Sequence, residues 1–110
     1  MAKNDYFVIA YKVLKYLYEC LKKGVRPNMD ILDAGFFQIA ESYWAYIIGN
    51  LNADGYITGI MRIEHDGDEP IIRVTSDIKI TPKGIEYLEE NSTFKKIKEA
   101  AKDIRGMLPF

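Results

Sequence analysis

The sequence predicts an α+β fold in which three helices are followed by a β-hairpin and then by two further helices. Apolar residues recur three and four positions apart along residues 4–23, 41–53 and 93–108, which is the period of one helical face. Two other runs, residues 56–64 and 71–80, are rich in β-branched residues, and a cluster of turn-forming residues separates them. Together these patterns place helices before and after a single hairpin.

The first helix is predicted to begin after Asn4 or Asp5, either of which can cap it, and to end near Lys23. Gly24 follows as a helix terminator, and Pro27 forbids continuation of the helix. The apolar face is expected to consist of Phe7, Ala10, Leu14, Leu17 and Leu21. The opposite, polar face is expected to consist of Lys12, Lys15, Glu19 and Lys22.

A short second helix is predicted over residues 30–34, and Gly35 is expected to end it. The third helix is predicted over residues 41–53, and Gly55 closes it because glycine adopts positive φ at no steric cost. The inner face of the third helix is expected to hold Tyr43 or Trp44, together with Ile47, Ile48 and Leu51. The outward surface is then formed by Glu41, Ser42, Ala45, Tyr46, Gly49 and Asn52.

The hairpin strands are predicted at residues 56–64 and 71–80, joined by a loop of more than two residues. Residues 76–77 are predicted to bulge the second strand. Thr81 then caps a fourth helix that has Pro82 at its first position and ends at Asn91. A fifth, amphipathic helix is predicted over about residues 93–105, and its apolar face comprises Phe94, Ile97, Ala101, Ile104 and Leu108.

This order of elements is that of a winged helix, with a three-helix core, a β-hairpin wing and two further C-terminal helices. Residues 1–110 are expected to form one such domain, since neither a linker nor a repeat interrupts them. Residues 51–59 supply the transition from helix through glycine to strand that this fold needs. Residues 80–91 resemble the strand-to-helix step that follows the wing in many such proteins.

The GYI entry to the hairpin, the IKITPKGIEYLEEN segment and the basic C-terminal helix together carry a family resemblance. On these residues the chain resembles the YjcQ-like family of small bacterial and prophage-borne proteins. The resemblance implies a winged-helix fold and a phage or prophage setting in a bacterium. It assigns no catalytic residues.

The charge of the chain is segregated along its length. Residues 30–70 contain eight acidic residues and one basic residue, Arg62, whereas both flanking segments carry a net positive charge.

In a DNA-binding winged helix the third helix enters the major groove, the wing reaches the backbone, and Lys or Arg side chains supply the affinity for phosphate. The outward surface of the third helix carries no basic residue. The predicted wing residues are Arg62, Glu64, His65, Asp66, Asp68 and Glu69. These carboxylates disfavour the usual mode of DNA docking.

Two basic surfaces remain as alternatives. One comprises Lys12, Lys15, Lys22 and Lys23, with Arg26. The other comprises Lys95, Lys96, Lys98 and Lys102, with Arg105. Each surface is interpreted either as the solvated face of an amphipathic helix or as a DNA-backbone footprint away from the third helix.

A protein partner is the second functional hypothesis beside a DNA-associated regulator. Tyr43, Trp44 and Tyr46 cannot all point inward, because adjacent residues lie about 100° apart on a helix. At least one of these aromatic side chains is therefore expected on the surface, where Tyr and Trp are common interface anchors. The terminal helices could also pair two copies of the chain, so homodimerisation is a further expectation.

No enzymatic activity, cofactor or metal site is expected. The chain has one histidine, His65, and one cysteine, Cys20, which cannot form a zinc cluster. Cys20 shares a helical stripe with apolar residues and is expected in the core, and the acidic residues near His65 lack calcium-loop spacing. A single cysteine and the absence of a signal-like or membrane-spanning apolar run favour a cytoplasmic location.

Overall fold

A computed structural model describes residues 4–92 as an α+β arrangement of helices and one antiparallel hairpin. The elements in chain order are α1 (Tyr6–Lys23), α2 (Ala34–Phe37), α3 (Glu41–Ala53), β1 (Ile57–His65), β2 (Asp68–Ile80) and α4 (Pro82–Asn91). The predicted α+β class is confirmed, and the element order is compatible with a winged helix. The predicted fifth helix at residues 93–105 lies outside the described residues.

Helix α1 is the centre of the core and contacts α3, β2 and α4. Residues 8–14 are all buried, so the helix is covered on several sides rather than along one stripe. The predicted apolar face is therefore wrong at its ends, where Phe7 and Leu21 are exposed. The predicted polar face is wrong at Lys12, which is only 8% exposed. Cys20 is buried in the core as expected.

The segment after α1 folds back on the helix that precedes it. Gly24 has φ 67° and donates its N–H to the carbonyl oxygen of Leu21 at 3.2 Å, which ends α1 as predicted. The backbone N–H of Asn28 donates to the Tyr16 hydroxyl at 2.8 Å. This bond holds the exit of α1 against the body of the helix.

The predicted position of the second helix is wrong. Residues 28–31 form a turn in which Asp30 N–H donates to Asn28 Oδ1 at 3.0 Å. The helix begins at Ala34 instead, because the Asp33 carboxylate accepts from Gly35 N–H at 2.9 Å and so caps it. Gly35 therefore lies inside α2 rather than after it.

Helix α3 has the bounds that the sequence predicts. Its inner face holds Trp44, Ile47, Ile48 and Leu51, all of them buried in the core. Each such side chain contributes about 1.5–3 kcal/mol of burial free energy. Gly55 has φ 81°, as the sequence indicates, and turns the chain into β1.

The register of the hairpin shifts twice, once in the inner half between Thr58 and Ile60 and once near the tip between Ile63 and His65. Ile57 pairs with Ile80 at its base, whereas Ile60 pairs with Val74, so β2 carries the extra residues of a bulge at the predicted position. Gly59, at φ 84°, packs closely against this bulge. Any β carbon at this position would strike the backbone of Asp77, so glycine is needed there. The prediction of a loop longer than two residues is wrong, because His65 pairs with Asp68.

The base of the hairpin is bonded to α4 and to the end of α3. Thr81 accepts from Gly84 N–H at 3.1 Å, which caps α4, and its hydroxyl donates to the Gly55 carbonyl at 2.6 Å. Thr81 N–H also donates to the Tyr56 carbonyl at 3.0 Å, and Lys83 Nζ donates to the Asp54 carbonyl at 2.8 Å. Two of the three segments that carry the family resemblance, the GYI entry and the IKITPKGIEYLEEN segment, therefore form one junction.

Candidate protein-binding groove

A groove of about 590 Å³ lies between the outward surface of α3 and the outer half of the hairpin. We call it the α3–hairpin groove. Helix α3 contributes Glu41, Ser42, Ala45, Tyr46, Gly49 and Asn50 to its walls. The hairpin contributes Arg62, Glu69, Pro70, Ile71 and Ile72. Two surfaces that the sequence predicts separately, the third helix and the wing, are thus brought together.

Small residues on α3 allow the hairpin to approach it closely. A β carbon built on Gly49 would lie 3.8 Å from Ile72 Cγ1, which is van der Waals contact. Ala45 and Gly49 are half-buried, and they share the groove with the apolar side chains of Pro70 and Ile72. The floor of the groove is therefore apolar, and the hairpin covers part of the α3 surface that a DNA reader would leave open.

The predicted outward surface of α3 needs one further correction, at Asn52. The Asn52 side chain is half-buried, and its Nδ2 donates to the Ile57 carbonyl at 3.0 Å. It ties α3 to β1 and is not among the groove residues. Glu41, Ser42 and Tyr46 are exposed as predicted.

An aromatic patch of Tyr6, Phe7 and Tyr46 adjoins the groove. The Tyr6 ring lies 5.9 Å from Tyr46 and 5.1 Å from Phe7, both in edge-on contact. Tyr46 is 62% exposed and Phe7 is 53% exposed, which confirms that the third helix presents an aromatic side chain at the surface. Burial raises the pKa of Tyr6, while a hydrogen bond with Asn50 opposes that rise. The Tyr6 phenol is therefore neutral at physiological pH.

Sequence reasoning missed the contribution of α1 to this patch. Phe7 was expected in the core, and Tyr6 was assigned no role, because helical spacing alone does not show where neighbouring elements stop covering a helix. Of the other α3 aromatics, Trp44 is buried and stacks on Phe37 at 5.4 Å. The Tyr43 hydroxyl donates to the Asn4 carbonyl at 2.9 Å. These two contacts show how α3 divides its aromatic side chains between core and surface.

The rim of the groove is acidic. Glu41 lies on the α3 side and Glu69 on the hairpin side, and both are exposed. Arg62 is the basic residue of the predicted wing, and its Nε donates to Glu64 Oε1 at 2.7 Å. Asp66 and Asp68 are also exposed at the hairpin tip, whereas the His65 side chain lies outside the described part of the chain.

The predicted basic patch on α1 does not form an open cationic stripe. Lys12 is buried, and Lys15 and Lys22 both pair with Glu19, at 3.2 Å and 3.0 Å. Burial would raise the pKa of Glu19, but hydrogen bonds from Lys22 and Lys15, together with their charges, hold that pKa below its ordinary value. Lys23 and Arg26 are exposed. The second predicted patch, Lys95, Lys96, Lys98 and Lys102, lies outside the described residues.

A smaller cleft of about 270 Å³ lies between the end of α1 and the bulge of β2. Its lining includes Cys20, and burial raises the pKa of that thiol, so it is protonated and unreactive at neutral pH. Among the described side chains, no group of three or more His, Cys, Asp or Glu could hold a metal ion. Within residues 4–92, no helix has the length and apolar character needed to cross a membrane.

Fold and groove together define a small α+β protein that has a partly apolar groove with acidic edges. The sequence model of one family, described as YjcQ protein, matches residues 11–107. The chain therefore belongs to the YjcQ family, as the resemblance predicted. Neither the curated proteins nor the solved structures contain a match to it.

Proposed function

We propose that this YjcQ-family chain is a non-catalytic winged-helix protein that binds a protein partner through the α3–hairpin groove. The observation that carries the proposal is that residues of α3 and of the outer hairpin line one groove, in which a β carbon added to Gly49 would lie 3.8 Å from Ile72 Cγ1. The proposal includes a single domain over residues 1–110, no cofactor, a cytoplasmic location and the bacterial or prophage setting that the family resemblance implies.

The charges around the groove support a protein partner over DNA. Lys and Arg side chains supply most of the affinity of a DNA-binding protein for phosphate. The groove instead has Glu41 and Glu69 at its rim, and Arg62 is already paired with a carboxylate. On α1, three lysines of the candidate backbone footprint are buried or paired. Duplex DNA approaching α3 would therefore meet repulsion with little compensation.

The same features define the chemistry of the partner. The apolar floor around Ala45, Gly49 and Ile72 suits apolar side chains, and the acidic rim suits Lys or Arg at their flanks. Tyr46 is exposed at the edge of the groove, which supports a role as an aromatic anchor, since exposed tyrosines are common anchors at interfaces. A partner segment with apolar residues between basic ones matches all three features.

A DNA-associated regulator is the second candidate function, favoured by the winged-helix-compatible order of elements. The order of elements supports DNA binding only by analogy, because proteins that share one fold have many different functions. The two candidates differ in what touches Tyr46: nucleic acid in one case and a polypeptide in the other.

Photo-cross-linking from position 46 separates the two functions. A photoreactive amino acid replaces Tyr46 in one variant and Glu86, exposed on α4, in a control variant. We expect a light-dependent polypeptide adduct from position 46 and none from position 86. Adding Ala45→Trp, which fills the groove, should abolish the adduct, whereas Ala53→Trp on the exposed end of α3 should not.

Titration of a long mixed-sequence duplex at low salt completes the test. We expect that Tyr46→Ala and Ser42→Ala leave any fluorescence anisotropy change unaltered, because α3 does not face DNA. Salt-sensitive binding that either variant weakens about tenfold or more would overturn the proposal in favour of a DNA reader.

A further inference from the structure

The charge of the chain divides at the end of α4. Residues 4–92 contain nine basic and fourteen acidic residues, whereas residues 93–110 contain five basic and two acidic residues. The acidic part includes the α3–hairpin groove, with Glu41 and Glu69 at its rim. The charge of the basic part complements that groove.

The C-terminal segment also has the apolar residues that the groove floor requires. Phe94, Ile97 and Ala101 follow one another at spacings of three and four residues, and Ile104 and Leu108 continue the series. Lys95, Lys98 and Lys102 alternate with them along the sequence. Apolar side chains flanked by basic ones are the chemistry that the floor and rim of the groove select.

We propose that the α3–hairpin groove of one chain binds residues 93–110 of a second copy, so that two copies exchange C-terminal segments. This inference rests on the proposed protein-binding function and names its partner. Each copy would contribute one acidic groove and one basic segment. Such a reciprocal exchange closes into a twofold dimer and leaves neither groove empty.

The position of α4 favours a second copy over the same chain as the source of the segment. Helix α4 packs on α1 and begins at the base of the hairpin, where Thr81 is bonded to Gly55 and Tyr56. The groove lies at the opposite, outer half of the hairpin, around Glu69 and Ile72. The groove and the start of α4 therefore lie at opposite ends of the hairpin.

Charge reversal on each side of the contact tests the proposal with full-length protein. The groove variant is Glu41→Lys with Glu69→Lys, and the segment variant is Lys95→Glu with Lys98→Glu and Lys102→Glu. Light scattering and sedimentation should show a wild-type dimer that dissociates as salt is added. Each variant alone should self-associate about 100-fold more weakly, because like charges then face each other. A mixture of the two variants should restore the dimer, because every groove then meets a segment of opposite charge.

A matched variant controls for net charge. Glu86→Lys with Glu89→Lys makes the same charge change on exposed α4 positions and should leave the dimer intact. Circular dichroism and thermal unfolding check that each variant is folded. A wild-type monomer, a groove variant that still dimerises, or a mixture that fails to associate would each overturn the exchange.

The cross-link from position 46 tells failure of this inference from failure of the proposed function. An adduct of twice the chain mass supports the exchange. An adduct with a different protein, formed by a monomeric chain, removes the second copy as partner but keeps the groove as a protein-binding site. Loss of every polypeptide adduct removes both proposals.

Discussion

The base and the outer half of the hairpin belong to the same two strands but are built differently. At the base, Ile57, Ile78 and Ile80 are buried, and Thr81 bonds to both Gly55 and Tyr56. In the outer half, Met61 and Ile71 are exposed apolar side chains, and the tip is acidic. The base fixes the positions of α3, β1 and α4, whereas the outer half leaves apolar surface uncovered.

The difference separates the part of the molecule that specifies the fold from the part that is available to a partner. Backbone packing at the base is so close that glycine is required at Gly59 and Gly84. At the groove, by contrast, there is room beside the glycine, because a β carbon at Gly49 would meet only ordinary van der Waals contact. Substitutions at glycines of the base and of the groove therefore test this difference in packing directly.

The largest expected effect is at the base, for Gly84→Ala. The new methyl group would lie 2.5 Å from the Tyr56 carbonyl oxygen and 2.6 Å from Ile80 Cγ1, so backbone must move. We expect a loss of about 2–3 kcal/mol in the free energy of unfolding, despite the better helix propensity of alanine. Urea denaturation of the full chain measures it. A variant as stable as the wild type would contradict the close packing of α4 on the hairpin base.

The second effect, also at the base, is the loss of the Thr81 hydroxyl. Thr81→Val keeps the shape of the side chain but removes the bond from Gly84 N–H and the bond to the Gly55 carbonyl. We expect about 1–2 kcal/mol of destabilisation, the usual cost of losing an N-cap. Thr58→Val, at an exposed position of β1, is the control and should change stability little. An equal loss of unfolding free energy in Thr81→Val and Thr58→Val would show that the hydrogen bonds of the Thr81 hydroxyl do not stabilise the fold.

The base was also the part of the fold that the sequence predicted best. Its signals are local: Gly55 ends a helix, Thr81 and Pro82 begin one, and residues 76–77 interrupt a strand. The bounds of α3 followed from its 3-4 apolar spacing for the same reason. Local chemistry of caps and turns needs no knowledge of distant residues, so it can be read along the chain.

The groove could not be predicted because it depends on how separate elements pack. The sequence identified Glu41 and Tyr46 on α3 and Glu69 on the wing, but not that they would face one another. The prediction that Lys12 lies on an exposed polar face was wrong for the same reason, because the elements that bury it are distant in sequence. At the hairpin tip, strand pairing overrode the turn-forming composition of residues 68–70, and Pro70 is accepted within β2.

At the groove itself a glycine replacement should have the opposite sign to Gly84→Ala. A methyl group at Gly49 would lie 3.8 Å from Ile72 Cγ1, which fills space without displacing backbone. Gly49→Ala should therefore stabilise the chain by about 0.5–1 kcal/mol, the gain expected inside a helix. The same urea measurement applies. Destabilisation would mean that Ile72 packs too tightly on Gly49 to accept a methyl group. The groove floor would then have no room for a partner.

The smallest effect concerns the cations of α1, whose pairing removes the rival basic surface. Because Lys22 and Lys15 hold the pKa of Glu19 below its ordinary value of 4.5, their pairing stabilises the folded chain above that pH. This stabilisation is lost as pH falls through the lowered pKa. Glu19→Gln should therefore cost about 0.2–1 kcal/mol at pH 7 and progressively less below pH 4.5.

Urea denaturation at a series of pH values measures this convergence, and the lysines provide the control. In a Lys15→Gln, Lys22→Gln background, Glu19→Gln should lose most of its pH-dependent effect, because the charges that lower the pKa are gone. If wild type and Glu19→Gln instead differ equally at every pH, Lys15 and Lys22 are not held by Glu19. They would then be available to phosphate, and the α1 face would again compete with the α3–hairpin groove as the functional surface.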